Sequence, residues 1–463
     1  MMLSIFPDLP EISGIVSDSR AVVPGCLFAA LPGTKLDGRH FIAEAVAKGA
    51  KIILAPEGTA WPPDVPRRHL ITAPDVRARL AEMAAAFYAP LPKRLFAVTG
   101  TNGKTSSVDF LRQILTLAGR KAASIGTLGV IAPGRDPTGS LTTPDPVSLA
   151  RMLGSLAAEG VEDVAMEASS HGLDQRRLDG LRFIAAGFTN LTRDHLDYHG
   201  SMQAYGAAKL RLFSTLLESH AALRAMADLD PEIIAHLREL ACSQGHSFDL
   251  VTLERVTPRP DGQVIKVQGR DVELPLPGRF QADNAVLAAS LAEVAGIEDP
   301  LSYLPHLRGV RGRLERVLVL SNGAAAYVDY AHTPDAIARV LSALRPHTQG
   351  RLHIVFGAGG DRDAGKRPLM GVAAARGADV VIVTDDNPRG EAPDVIRQAI
   401  LVACPGAREI ADRHAAIAAA LEGLAPGDVL VVAGKGHEQG QIIKGAVIPF
   451  DDASVLRELG GAA

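Results

Sequence analysis

Ala97-Val-Thr-Gly-Thr-Asn-Gly-Lys-Thr105 lies between an apolar run, Leu95 to Val98, and an amphipathic run from Ser106 to Ala118. The order reads strand, phosphate loop, helix, and it predicts that the chain binds ATP. Gly100 and Gly103 let the backbone approach a polyphosphate, whose charge the loop amides and the helix N-terminus attract. Lys104 can reach the terminal phosphates, and the Thr105 hydroxyl can hold Mg2+. The strict spacing of such loops would put glycine at position 98, where valine stands.

Working outward, the chain has 463 residues, room for about three domains, each with its own core. It is 47% hydrophobic and 22% charged, with 45 glycines and 30 prolines, as in an ordinary α/β protein with many turns. A formal charge of −4 with no basic tract gives a nucleic acid no electrostatic footprint. Met1 to Pro10 has Asp8, two prolines and no apolar core, and no apolar stretch reaches spanning length. Neither a secretory signal nor membrane insertion is therefore expected, and the cytoplasm is the default compartment. Cys26, Cys242 and Cys404 lack paired spacing, so buried thiols are expected rather than disulfides or zinc.

The small N-terminal part predicts a helix near Phe41 to Val46, a strand at Ile52 to Ala55 and a helix from Val76 to Tyr88. Pro90 and Pro92 then break the chain, placing a boundary near residue 90. Strands at Val164 to Met166 and Ala185 to Phe188 alternate with helices, as a parallel sheet requires. The last third repeats the pattern, with strands at Leu352 to Phe356, Val380 to Thr384 and Val429 to Ala433. Arg308-Gly-Val-Arg-Gly-Arg313 interrupts the pattern before it and marks the second boundary near Val310. The expected domains are residues 1–89, a small α/β domain; 90–310, a central phosphate-loop domain; and 311–463, a Rossmann-like doubly wound domain.

Ligands of open parallel sheets bind outside the carboxyl ends of the strands. Five polar motifs fall there: Glu167-Ala-Ser-Ser-His171, Thr189-Asn-Leu-Thr-Arg-Asp-His-Leu-Asp-Tyr-His199, Gly359-Gly-Asp-Arg-Asp363, Asp385-Asp-Asn-Pro-Arg389 and Gly434-Lys-Gly-His-Glu438. Glu167 offers a hard oxygen that could share one Mg2+ with Thr105. His195 is a candidate for a second magnesium, although by residue type a packed histidine is the safer reading. Lys209, within Tyr205-Gly-Ala-Ala-Lys-Leu-Arg-Leu-Phe213, reads by residue type as a solvated helix face.

Thr99 to Thr105, Glu167 to Gly172, Thr192 to Gly200, Ala207-Ala-Lys209, Asp329-Tyr-Ala-His-Thr-Pro334 and Gly359 to Asp363 together resemble the Mur ligases of peptidoglycan assembly, over nearly the whole chain. Asp386-Asn-Pro-Arg389 resembles the signature of the family's diaminopimelate-adding branch rather than its lysine-adding one. The resemblance implies an ATP-dependent amide ligase of three domains, binding in turn a UDP-sugar, ATP and an amino acid, with small-molecule substrates only and no obligatory partner subunit. It implies that Gly100, Thr101, Asn102, Gly103, Lys104, Thr105 and Ser106 embrace the phosphates, with Asn284, Arg313 and His332 toward the nucleotide. Ser17, Ser19 and the Thr34-Lys-Leu36 loop would face the UDP-sugar. Thr142, Thr143, Ser169, Gln175 and Arg177 would hold the muramoyl-peptide end. The lysine matching Lys209 is carbamylated by CO2 in this family; a carbamate suits a hard cation where an ammonium would repel it. Lys104, Glu167, His195 and modified Lys209 would then serve catalysis.

Diaminopimelate has two zwitterionic ends, so its pocket needs carboxylate clamps and an ammonium acceptor. Arg362 and Arg389 can grip carboxylates, and Asp386 or Glu438 can receive an amine; the resemblance places Asn387, Pro388 and Gly434 among the residues that bind the diaminopimelate. A lysine substrate would leave Arg389 without a partner. The alternatives are a lysine-adding Mur ligase, a folylpolyglutamate synthetase-like ligase, and an ATP-driven switch protein.

Overall fold

A computed structural model describes residues 11–33, 36–135 and 141–461. The backbone divides into two compact units, Thr252–Val286 and Leu301 onward forming the second and the rest of the chain to Pro300 the first.

The first unit contains two sheets. Strands β1 (Ile15–Val16), β2 (Leu27–Ala29), β3 (Ile52–Pro56) and β4 (His69–Ala73) pair in sequence order, all parallel. Helix Val76–Phe87, capped by the Asp75 carboxylate at the Ala78 amide, covers this sheet. It packs Val76, Leu80 and Met83 with Val147 and Ala150 of helix Pro146–Ala158.

The larger sheet of this unit comprises β5 (Arg94–Thr99), β6 (Ala122–Gly126), β7 (Gly129–Ile131), β8 (Asp163–Glu167), β9 (Phe183–Phe188), β10 (Leu217–Met226) and β11 (Ser247–Val251). Their order is β11-β10-β9-β5-β8-β6-β7, parallel except for β7. Leu95, Phe96, Ala97 and Val98 are all buried because helices cover both faces of a central parallel strand. Helix Lys104–Leu117 buries Val108, Leu111, Ile114 and Leu115 along one stripe. Phe188 and Phe213 stack at 5.9 Å beneath it all. Each such buried aromatic contributes about 1.5–3 kcal/mol of apolar transfer.

In the second unit, β12 (Arg255–Arg259), β13 (Gly262–Val267) and β14 (Arg270–Leu274) form an antiparallel meander. The composition gave no sign of it. His347 ties this meander to the rest of the unit: its Nε2 accepts the Gly278 amide at 3.0 Å and its Nδ1 lies 2.8 Å from the Arg259 carbonyl. Strands β15 (Glu315–Val319), β16 (Ala325–Asp329), β17 (Leu352–Phe356), β18 (Val380–Val383), β19 (Arg408–Glu409) and β20 (Val429–Ala433) form the doubly wound sheet. The order is β15-β16-β20-β17-β18-β19, with only β15 antiparallel. A final hairpin, β21 (Gly440–Ile443) and β22 (Ala446–Pro449), stands beside the end of β18 through an Arg389–Ile443 bridge.

The expected strands and helices fall within a residue or two of those observed, including the exact spans of β17 and β20. The expectation for the cysteines is corrected. Cys26 and Cys404 are buried, but Cys242 is exposed, on helix Pro231–Gln244, whose buried positions are Leu237 and Ala241. Three to four residues separate the positions of that stripe, and 242 lies off it.

Candidate functional site

Each of the five polar motifs begins at the carboxyl end of a parallel strand: β8, β9, β17, β18 and β20. The phosphate loop follows β5 between two of them. Gly103 caps helix Lys104–Leu117 in the left-handed region, φ 86°, and Gly100 has φ 143°. Neither conformation suits a residue with a side chain. The loop is gripped by the segment after β9. Asn190 accepts the Thr101 amide on its carbonyl at 2.8 Å and the Asn102 amide on its side-chain oxygen at 3.0 Å. The Thr189 hydroxyl donates to the Asn102 carbonyl at 2.6 Å, and the Thr101 hydroxyl to that of Thr192 at 3.1 Å. The segment Thr189 to Thr192 is therefore part of the phosphate loop's scaffold, a role its sequence did not announce.

A Cβ at Gly100 would overlap the Thr189 hydroxyl. Gly100→Ala is expected to cost at least ~1–3 kcal/mol of overpacking and to weaken nucleotide binding. A thermal melt with and without a non-hydrolysable ATP analogue reads both effects; an unchanged ligand-induced shift would contradict the second.

Lys104 donates to the carbonyls of Gly100 at 2.9 Å and Thr101 at 2.8 Å. Lys209 donates to the same Gly100 carbonyl at 2.7 Å and lies 4.4 Å from the centre of the Tyr205 ring. It is only 1% exposed, so the solvated-face reading fails: helix Met202–Thr215 turns Tyr205, Lys209, Leu212 and Phe213 inward together. Burial, and then the charge of Lys104, lower its pKa to about 6. Thr105 and Ser106 are buried in the first turn of the helix behind the loop.

Glu167, 2% exposed, accepts the Thr127 amide at 2.7 Å and the Thr127 hydroxyl at 3.3 Å. It closes the turn after β6 rather than a helix, and a Cβ at Gly126 would collide with its carboxylate. His195 is not packed: its side chain is 48% exposed, at φ 52°, ahead of the short turn Leu196–His199. It joins an aromatic cluster with His171 at 4.9 Å and Tyr205 at 6.1 Å. Among the described residues, no three of His, Cys, Asp and Glu gather as a cation cage.

The residues assigned to the muramoyl-peptide end form one hydrogen-bonded chain beside Glu167. Thr142 and Thr127 share a hydroxyl bond at 3.0 Å. The Thr143 hydroxyl donates to the Glu167 carbonyl at 2.8 Å and accepts from the Ser169 amide and hydroxyl at 3.1 and 3.0 Å. Arg177 donates to the Thr143 carbonyl at 2.6 Å and to the Gln175 side chain at 2.7 Å, and Gln175 reaches the Tyr198 hydroxyl at 3.2 Å. Near β1, Ser17 is exposed and Ser19 donates to Glu44 at 3.1 Å. Thr34 and Lys35 lie outside the described residues; Leu36 is exposed.

In the second unit, Arg313 lies 4.8 Å from the Tyr330 ring, which also meets His332 at 4.6 Å and His437 at 5.2 Å. Burial drives the imidazole of His437 down to about 4 and lowers that of His332. Nε of Arg313 and Nδ1 of His437 are buried with no hydrogen-bond partner. Asn284 is buried in helix Arg279–Val294. Tyr330 and His437 were not anticipated, although both lie inside quoted motifs.

The turn after β18 and the loop after β20 converge. Asp386 and Asn387 are buried, and Asn387 donates to Glu438 at 2.9 Å. Gly434, φ 116°, passes so close to Asp386 that a Cβ would strike its carboxylate. Arg389, φ 53° after Pro388, donates to the Gly360 carbonyl at 2.8 Å. Arg362 is exposed two residues beyond Gly360. Lys435, fully buried, was missed as a site residue. Its place just after a β-strand, between two glycines and three residues before Glu438, was the available signal.

Three family models match along the chain: "Mur ligase family, catalytic domain" over 11–88, "Mur ligase middle domain" over 98–292, and "Mur ligase, glutamate ligase domain" over 312–436. A protein of Caulobacter vibrioides named UDP-N-acetylmuramoyl-L-alanyl-D-glutamate--2,6-diaminopimelate ligase is 54% identical, across 98% of this chain and 96% of its own. The Rhizobium meliloti protein of the same name is 51% identical over 97% and 95%. A solved structure bearing that name superposes with a TM-score of 0.73 at 33% identity, covering 100% of this chain and 98% of its own. With three family models matched along the chain and relatives more than 50% identical over nearly its whole length, the chain belongs to the Mur ligase family.

Proposed function

We propose that this chain joins meso-2,6-diaminopimelate to the D-glutamate γ-carboxylate of UDP-N-acetylmuramoyl-L-alanyl-D-glutamate, consuming ATP in peptidoglycan precursor synthesis. The observation that carries the substrate choice is the meeting of Asp386, Asn387, Gly434 and Glu438 at the ends of β18 and β20, with Arg389 on the same turn reaching the Gly360 carbonyl. An arginine clamp beside carboxylates suits an amino acid whose far end is itself a zwitterion.

The loop fits a nucleotide: Gly100 has no room for a Cβ, Gly103 lies in the left-handed region, and Lys104 donates to the carbonyls of Gly100 and Thr101. Gly100 to Ser106 would hold the phosphates, with Asn284, Arg313 and His332 toward the rest of the nucleotide. Thr105, Glu167, His195 and a carbamate on Lys209 would hold Mg2+, which when bound spreads the charge of the transferring phosphoryl group. The buried, low-pKa amine of Lys209 suits modification by CO2. Ser17 and Ser19 are assigned to the UDP-sugar, and Thr142, Thr143, Ser169, Gln175 and Arg177 to the peptide end. Domain limits at 89/90 and 310/311 accompany this reading, as do a monomer and a cytoplasmic location. No helix among the described residues is long and apolar enough to cross a membrane.

The chemistry asks little covalent work of the protein. A carboxylate oxygen of the substrate attacks the γ-phosphorus of ATP, releasing ADP and leaving an acyl phosphate. The uncharged amine then attacks the acyl carbon, and phosphate departs. Lys104 neutralises charge that develops on the phosphoryl oxygens. The Thr143–Ser169–Arg177 network orients the acid, and burial behind the loop keeps water from the acyl phosphate.

Phosphate release with the UDP-muramoyl-dipeptide should require meso-diaminopimelate and stay low with L-lysine or no amine. Release without an amine would favour a switch protein, and activity with lysine alone would overturn the substrate choice. Arg389→Ala should raise the KM for diaminopimelate by about ten- to a hundredfold, the worth of one charged hydrogen-bonded contact. The KM values for ATP and the UDP-dipeptide should stay within about twofold, leaving no more than a minor change to assign to a general loss of fold.

A further inference from the structure

Lys435 is 0% exposed at the end of β20, and an ammonium without partners is too costly to leave there. Its Nζ donates to the Asn387 side-chain oxygen at 2.9 Å and the Gly440 carbonyl at 2.8 Å. It also stands 4.0 Å from Asp386 Oδ1 and 3.9 Å from Glu438 Oε2. Of the other buried cations nearby, Arg413 is bound through two nitrogens to Asp452 at 2.7 Å each, Arg397 is paired with Asp385 and Arg367 with Glu391. Lys366 acts on Asp386 through space but is bonded to the His332 carbonyl at 3.0 Å. Lys435 is thus the cation held between the two carboxylates assigned above to receive an ammonium.

Its bonds also fix the turn geometrically. Asn387 spends its oxygen on Lys435 and on the Ile442 amide at 2.9 Å, and its nitrogen on Glu438 at 2.9 Å. The Gly440 contact ties the same ammonium to the start of β21. One buried side chain therefore joins the turn after β18, the loop after β20 and the hairpin.

We propose that Lys435 is a positioning residue for the amino-acid substrate: as the cation between Asp386 and Glu438, bonded to Asn387 of the same turn, it holds the two carboxylates apart and in place so that they can accept a substrate ammonium. The proposal rests on the reading that this site binds the incoming amino acid. A lysine that merely braces the fold would affect every substrate alike. A counter-ion acts through the charges it separates, so its loss is eased when one of those charges is removed.

The experiment is a cycle of Lys435→Met, Glu438→Gln and the double variant, with KM measured for diaminopimelate, ATP and the UDP-dipeptide. Each single variant should raise the diaminopimelate KM about tenfold or more, the size of a charged hydrogen bond, and leave the other two within about twofold. The double variant should be no worse than Lys435→Met, because the methionine no longer faces two carboxylates. Losses that multiply in the double variant, or an equal rise in all three KM values, would overturn the proposal. Glu438→Gln keeps the buried lysine, so an unaltered diaminopimelate KM there overturns it even if Lys435→Met does not fold. A wild-type chain that takes L-lysine instead defeats the diaminopimelate reading by itself, and the same cycle run on the lysine KM then decides the role of Lys435 separately.

Discussion

Replacing Lys209 with alanine is expected to cut amide formation by about a thousandfold, the scale of losing a group that stabilises transition-state charge. The lysine is buried against Tyr205 and donates to the Gly100 carbonyl that Lys104 also uses. Two ammonium groups on one carbonyl oxygen would repel each other, and burial and the charge of Lys104 together favour the uncharged amine at Lys209. A carbamate at Lys209 would put a negative charge there instead: the amine lone pair would attack the carbon of CO2, an N–C bond forming as one C=O becomes C–O− and the nitrogen loses a proton. The direction of the pKa shift favours this step. Burial lowers the ammonium from its ordinary value to about 6, so above pH 6 the amine is uncharged and nucleophilic. Below that pH it is protonated, and incorporation of labelled CO2 should fall. Short carboxylic acids should restore part of the activity of the alanine variant by entering the space left. Activity of Lys209→Ala within tenfold of wild type, or label uptake indifferent to this substitution, would remove the carbamate from the mechanism.

Much of this was legible in the sequence because parallel sheets write plain signals. A strand buried on both faces must be continuously apolar, as Leu95 to Val98 and Val429 to Ala433 are, and the polar motif that follows it must lie at the carboxyl edge. What stayed hidden depends on three dimensions. Lys209 and Lys435 look like surface lysines because composition cannot say which side of a helix or loop faces inward. The grip of Thr189 and Asn190 on the phosphate loop joins residues almost ninety positions apart, |i−j| = 87 for Thr189 to Asn102. The meander from Arg255 to Leu274 alternates too weakly, with proline and charged residues on exposed positions, to stand out from loop. Cys242 shows the same limit in reverse, one position off a buried stripe.

Asp452→Asn should destabilise the second unit by about 3–5 kcal/mol, because it strands a buried guanidinium. Arg413 and Asp452 are both 0% exposed in their side chains and joined through both carboxylate oxygens. For a unit of this size the loss corresponds to a fall in melting temperature of order 10 °C. The pair also holds, from behind, the turn and loop proposed to bind the amino-acid substrate. Arg413 donates to the Ala433 carbonyl at 3.0 Å and the Asp385 carbonyl at 3.4 Å, the residues immediately before Gly434 and Asp386. Stability and substrate affinity can therefore be separated. Replacing both partners by apolar residues, Arg413→Met with Asp452→Leu, should recover most of the lost stability, since no buried charge is then left unpaired. It should not recover the KM for diaminopimelate, because the two carbonyl contacts leave with the guanidinium and the ends of β18 and β20 lose their common tie. Calorimetry and steady-state kinetics on the same three proteins decide the matter. If Asp452→Asn melts within a degree of wild type, the charge is compensated by groups other than this carboxylate; if the double variant binds diaminopimelate normally, Arg413 serves stability alone.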